Sequence, residues 1–214
     1  MRILGIDPSL NGTALVILQD GKIEKKFAIT NKFKDVSDQN TIIKSFNMKN
    51  INNFDRLILV RDFVQEIVKI TMPNAIAIED YALGSKFATI NTGEIGGILR
   101  LIAYEANIPL RLYSPTQIKK FVTGIGNAPK SSVCVNVYKN WNVDFSPYKE
   151  LGEDFADAYS IAKLLEYELL AKKDKHFLNA QPDYIKSVLT EKGKKESSLL
   201  ESELILNKKA GDKK

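Results

Sequence analysis

Residues 2–30 read RILGIDPSLNGTALVILQDGKIEKKFAIT. Arg2–Asp7 is an apolar run that ends on a carboxylate. Thr13–Gln19 (TALVILQ) is rich in β-forming residues, and Asp20-Gly21 is a dipeptide that closes tight hairpins. Lys22–Thr30 completes a meander of three short strands. Beyond it, residues 31–52 are polar with few apolar positions, which predicts a loop or an inserted segment.

Further along, the period changes. In Asn53–Thr71, Leu57, Val60, Val64, Ile67 and Val68 fall on one helical face, and Pro73 follows the end. Ala75–Glu79 (AIAIE) reads as a buried strand that again ends on a carboxylate. Residues 81–90, with Gly84, read as a loop. Asn91–Asn107 keeps Ile95, Ile98, Leu99, Ile102, Ala103 and Ala106 at helical spacing. Gly96 and Gly97 sit inside it, each costing roughly 1 kcal/mol relative to Ala. That cost predicts a close approach to the helix backbone. Ile108–Tyr113 is a strand. Ser114-Pro115-Thr116-Gln117 has the form of a capping box with Pro at the first helical position, opening a short helix over 115–122. Gly124-Ile125-Gly126 is a turn, and Asn127 is placed to cap a helix from Pro129 to about Trp141. Glu153–Lys172 is helical, with Ala158, Ile161, Ala162, Leu165 and Leu169 on one side. Residues 183–206 have room for one marginal helix with little core.

This order predicts an α/β domain over residues 1–172, a five-stranded mixed sheet with helices on both faces. Residues 31–52 are its insertion. Residues 173–214 form a Lys-rich extension, partly helical or disordered.

Composition narrows the class. Of 214 residues, 44% are hydrophobic and 27% charged, as in ordinary globular domains. No apolar run reaches the roughly 18 residues a membrane span needs, and Asp7 interrupts any apolar leader. The expectation is a cytoplasmic protein. The single cysteine, Cys134, and single histidine, His176, exclude an internal disulfide and zinc sites built from several thiolates or imidazoles. Cys134 and Trp141 are expected to pack in the core. Net charge is +5, of which +4 lies in residues 171–214. That excess alone fits a solvated tail as well as a nucleic-acid contact.

Four acids stand out. Asp7 ends the first strand and Glu79 the fourth. Asp154 and Asp157, three apart, project from one face of a helix. Taken singly each has an ordinary use: a turn former before Pro8, a solvated pair with Asp80, a compensation of the helix dipole. Together, at converging strand ends beside a helix, they would form a cluster of hard oxygen donors that needs a compensating cation. Such a set selects Mg²⁺ or Mn²⁺. Two such ions suit in-line displacement at a phosphodiester.

Four segments carry a resemblance. Ile3-Leu4-Gly5-Ile6-Asp7-Pro8-Ser9 resembles the opening of the RuvC-type Holliday-junction resolvases. Ala77-Ile78-Glu79 is similar to their second acidic motif. Tyr113–Lys119 (YSPTQIK) with Gly124–Ser131 (GIGNAPKS) resembles their most specific stretch. Asp154–Ala162 (DFADAYSIA) is similar to their final acidic helix. The motifs fall in the family's order and cover residues 1 to about 170.

The resemblance implies a ribonuclease-H-like fold and a homodimeric, metal-dependent endonuclease. It would resolve four-way junctions by paired symmetric nicks, in the service of recombination and repair. Asp7, Glu79, Asp154 and Asp157 would be catalytic and would hold the metal, the resemblance implying two Mg²⁺ ions per active site, with Mn²⁺ substituting. Lys119 and Lys130 match basic positions that face DNA. The family's stacking aromatic aligns with Ala82, so Tyr81 or Phe87, with Lys86 beside them, is expected to take the DNA contact. Bacterial members work with a branch-migration motor. The stretch 31–52 and the tail beyond 172 are longer than in many bacterial members, as in phage-encoded ones. Two other readings accompany this one: a nuclease of the same fold for flaps and Y-forks, and a junction-binding module without catalysis. A sugar-kinase-like opening (Gly5-Ile6-Asp7, then Gly12-Thr13) would need a second such domain, for which the chain is too short.

Overall fold

A computed structural model describes residues 1–31, 36–37, 39–47, 51–80 and 86–190, with the side chains of all but 36, 37 and 86–92. The opening meander forms as β1 (Arg2–Asp7), β2 (Gly12–Gln19) and β3 (Lys22–Thr30). Asp20 and Gly21 both take positive φ, 49° and 80°, which is the geometry of the tight hairpin their identity announces. The remaining strands are β4 (Val36–Ser37), β5 (Thr41–Ser45), β6 (Ala75–Glu79) and β7 (Leu110–Tyr113). All seven join one mixed sheet in the order β4-β5-β3-β2-β1-β6-β7.

Two of these strands correct the sequence expectation of five strands with residues 31–52 as a loop or inserted segment. Thr41-Ile42-Ile43 supplies just enough β-branched surface for a short strand between β3 and the two-residue edge strand β4. Thr41 and Ile43 are buried, and β5 runs parallel to β3. Two short strands near the sheet margin need little apolar sequence, so the polar surroundings concealed them.

Helices cover both faces. α1 (Asn53–Thr71) and α2 (Lys86–Glu105) lie on one side, over Leu4, Ile6, Leu15, Ile17, Ile76 and Ile78. α2 begins five residues before the expected start, since Lys86-Phe87-Ala88-Thr89 holds no helix breaker. On the other side lie α3 (Pro115–Thr123), α4 (Lys130–Trp141) and α5 (Glu150–Lys173). The Ser114 capping box forms as expected. Asn127 does not cap α4: Pro129 stands at that position, without a side-chain cap. Trp141 stacks on Phe121 at 5.6 Å between ring centroids. α6 (Lys175–Asn179) and α7 (Asp183–Thr190) follow. α7 buries Ile185 and Val188 in the same core as α3 and α5, so this part of the tail has more core than its sequence suggests. No helix among the described residues is long and apolar enough to cross a membrane.

α5 lies close on the sheet because the strands beneath it present small residues. Gly5, Ala14, Ala28, Ala75 and Ala77 face it, and α5 answers with Ala158 and Ala162. A Cβ on Gly5 would stand 2.2 Å from the Ala158 carbonyl oxygen. Among the described residues, nothing comes within 4 Å of where a Cβ on Gly97 would stand, so the close approach expected there is not found.

A buried ionic knot ties β7 to α5. Glu168 accepts from Arg111 Nε at 3.0 Å and from the Tyr113 hydroxyl at 2.6 Å, and pairs with Lys172 at 3.0 Å. Burial pushes the Glu168 carboxyl up, but these three partners outweigh it and hold the carboxyl below its ordinary value. Stability from this group is therefore present above the ordinary glutamate range and lost as pH falls through the lowered value. Glu168→Ala strands the Arg111 charge and is expected to cost on the order of 3 kcal/mol, seen as a drop of about 8 °C in Tm by circular dichroism.

Candidate active site

Asp7 and Glu79 end adjacent parallel strands. β1 and β6 pair with Ile6 opposite Ile78, so the two acids stand one step beyond, side by side. The pleat sends alternate residues to opposite faces. Leu4, Ile6, Ile76 and Ile78 go to the α1–α2 core, and Ile3, Ala75 and Ala77 to the α5 core. Asp7 and Glu79 share the second parity, so they point toward α5. There Asp154, one turn before Ala158, and Asp157, next to it, meet the same end of the sheet.

The electrostatics register this convergence. Burial raises the Asp7 carboxyl well above its ordinary value, and the charges of Asp157, Glu79 and Asp154 add to the effect. Glu79 is raised by burial and by Asp157, while a hydrogen bond with Asp7 and the charges of Lys130 and Lys119 act against this. Burial pushes Asp157 up to about 6 even with the Lys130 ammonium beside it. Four carboxylates from three elements thus press on one another, which is the signature of a site built around a cation.

Lys130 supplies a cation of the chain's own. From the first residue of α4, its ammonium reaches Asp154 Oδ1 at 3.1 Å and Asp157 Oδ2 at 3.3 Å. Among the described residues no three acidic, histidine or cysteine side chains are gathered at metal-ligating distances; the ammonium stands between two of the acids instead. The donor set nevertheless fits a hard divalent ion. It is all carboxylate, the oxygen donor type that Mg²⁺ and Mn²⁺ take. Cys134, one turn after Lys130, is half-buried, and burial with the Asp157 charge pushes its thiol up to about 11. It is no thiolate ligand. His176 is exposed, beyond α5.

Of the basic and aromatic positions singled out in the sequence, Lys119 and Lys130 come to the carboxylates. Tyr81 lies outside the described residues. Lys86 and Phe87 open α2, but their side chains also lie outside them. Asp80, the neighbour of Glu79, is not part of the cluster; Arg100 holds it at 3.0 Å. Sequence reasoning passed over Arg56, which α1 carries to the loop that follows Asp7. An isolated arginine in a helical pattern gives no signal of where its guanidinium ends up.

A mixed sheet with this strand order and acids at the carboxyl ends of its central strands defines a ribonuclease-H-like scaffold. The family model described as "Crossover junction endodeoxyribonuclease RuvC" matches residues 3–164. The chain belongs to the RuvC family. A crossover junction endodeoxyribonuclease RuvC from Fusobacterium nucleatum is 31% identical, covering 75% of this chain and 77% of its own. One from Prochlorococcus marinus is 30% identical over 162 residues, covering 76% of this chain and 96% of its own. Among solved structures, Thermus thermophilus RuvC in complex with Holliday junction substrate superposes with a TM-score of 0.56 at 23% identity, over 81% of this chain and 96% of that one. The structural likeness establishes the fold.

Proposed function

We propose that this chain is a metal-dependent endonuclease that resolves four-way DNA junctions by paired symmetric nicks. The observation that carries the reading is the meeting of Asp7, Glu79, Asp154 and Asp157 from β1, β6 and α5 at one end of the sheet, with Lys119 and Lys130 beside them. Family membership and the names of the relatives support the substrate.

The four carboxylates would hold Mg²⁺, with Mn²⁺ as a substitute, as two ions. Bound there, the metal supplies Lewis acidity for the attack of water on the phosphodiester and for the departing oxygen. The chain's own groups do the rest. Asp7 and Glu79, fixed by strand pairing, set the floor of the site. Asp154 and Asp157 close it from the rigid helix α5. Lys130 from α4 and Lys119 from α3 would add positive charge for a phosphate of the cut strand. Junction shape, more than base sequence, would select the substrate.

Paired nicks call for two sites related by a two-fold axis, hence a homodimer. We assign the contact to the outer face of α2. Leu101 and Tyr104 are 54% and 61% exposed there, next to the open Gly97 backbone. The nuclease unit we assign to residues 1–172, with α6 and α7 laid against it.

The test is cleavage of a synthetic four-way junction with Mg²⁺ and with EDTA, mapping every strand. Symmetric cuts that need metal are expected. Binding without cuts removes the enzyme, and cuts on flaps and forks but not on junctions remove the substrate.

A further inference from the structure

Four of the five arginines are matched with a carboxylate: Arg2 with Glu24, Arg61 with Asp62, Arg100 with Asp80 and Arg111 with Glu168. Arg56 is the exception among the described residues. Its guanidinium makes one hydrogen bond, from Nη1 to Asn11 Oδ1 at 3.3 Å, and its buried Nε has no partner. A partly buried guanidinium without a counter-anion is a liability in the free protein. Its place in the first turn of α1 adds to that, since a cation there opposes the helix dipole.

Position gives this liability a use. Asn11 lies in the loop between β1 and β2, four residues beyond Asp7. That loop is fixed: the Asn11 amide donates to Ser9 Oγ, its carbonyl accepts from Asn31, and Gly12 donates to the Ser9 carbonyl. Leu10 beside it is buried in the same core as Leu57 of α1. Arg56 therefore stands at the end of the sheet that carries the acids. It is on the α1 side of that end, whereas Lys119 and Lys130 are on the α5 side. Basic groups flank the carboxylates from two directions.

We propose that Arg56 is a phosphate-binding residue for the DNA strand that crosses the active-site end of the sheet, contacting a phosphodiester away from the one that is cut. The ligand class is a backbone phosphate, which the fork of a guanidinium holds better than an ammonium does. Asn11 is the positioning residue that aims it. The assignment rests on the DNA-cleaving reading above, and it adds a contact on the side opposite the two lysines.

The experiment is binding of a labelled four-way junction and of plain duplex in EDTA, by fluorescence anisotropy, across a salt series. Arg56→Gln is the main variant, because an amide can still donate to Asn11 while the charge is gone. It is expected to weaken junction binding about five- to tenfold and to lower the slope of log affinity against log salt by about one. Arg56→Lys should keep the slope and recover part of the affinity. Asn11→Ala, which removes only the peg, should keep the slope. An unchanged slope and affinity in Arg56→Gln overturns the assignment. So does an equal loss of slope in Asn11→Ala, which would make Arg56 a loop fastener. If wild type holds duplex and junction alike while Arg56→Gln still lowers the slope, the junction reading fails and the phosphate contact stands.

Discussion

Asp7→Asn is expected to reduce junction cleavage on the order of a thousandfold while leaving junction binding in EDTA within about twofold. The substitution keeps the shape of the side chain and removes the charge from the centre of the cluster. The same change is expected to stabilise the metal-free protein. The Asp7 carboxyl lies well above its ordinary value because it is buried among Asp157, Glu79 and Asp154. A folded state with a raised carboxyl takes up a proton more readily than the unfolded chain does. Wild type in EDTA therefore loses stability as pH climbs from the ordinary aspartate range through the raised value. Asp157, raised to about 6, contributes in the same direction between its ordinary 3.8 and that value. Asp7→Asn removes the Asp7 contribution to this loss. Thermal unfolding in EDTA from about pH 4 to about pH 8 should show a shallower decline for the variant than for wild type. Cleavage at the wild-type rate would overturn the site.

Gly5→Ala is the second. The new Cβ would meet the Ala158 carbonyl oxygen at 2.2 Å and the Ala162 amide nitrogen at 2.7 Å. Both are backbone atoms of α5, so no side chain can swing away. Either β1 or α5 must move, and both are central to their layers. A cost of about 4 kcal/mol or more is expected, at the far end of what single substitutions do. That corresponds to a fall of roughly 10 °C in Tm. Because α5 also carries Asp154 and Asp157, the part of the protein that stays folded should lose cleavage. A thermal scan with a cleavage assay below the new midpoint checks both. An unchanged Tm would mean that α5 does not sit this close.

The strands and helices around the acids were legible because they are long or strongly patterned. β1 to β3, α1 and β6 match their expected limits to within a residue, and the capping box at Ser114 marks α3. Elements whose apolar content is small were not. β5 has two isoleucines in a polar run, and α7 holds its place through Ile185 and Val188 alone. The choice of acids, and their meeting at strand ends beside a helix, were legible through strand limits and helix spacing, but the closeness of α5 that brings them together was not. Convergence depends on Gly5, Ala75 and Ala77 letting α5 approach, and small residues carry no directional signal in a sequence. The ammonium of Lys130 between Asp154 and Asp157, and the guanidinium of Arg56 against Asn11, join positions 24 and 45 residues apart in the chain. Periodicity reports on one element at a time and is silent on such pairs.

The place of Lys130 has a consequence for the protein between encounters with its cofactor. Without an internal cation, two neighbouring aspartates on α5 would face each other bare. With it, α4 is fastened to α5 through the same oxygens that a divalent ion would claim. A divalent ion taken up by these aspartates would have to displace that ammonium. Such an exchange would free the first turn of α4 from α5, and uptake of the ion is expected to be linked to release of the neighbouring helix.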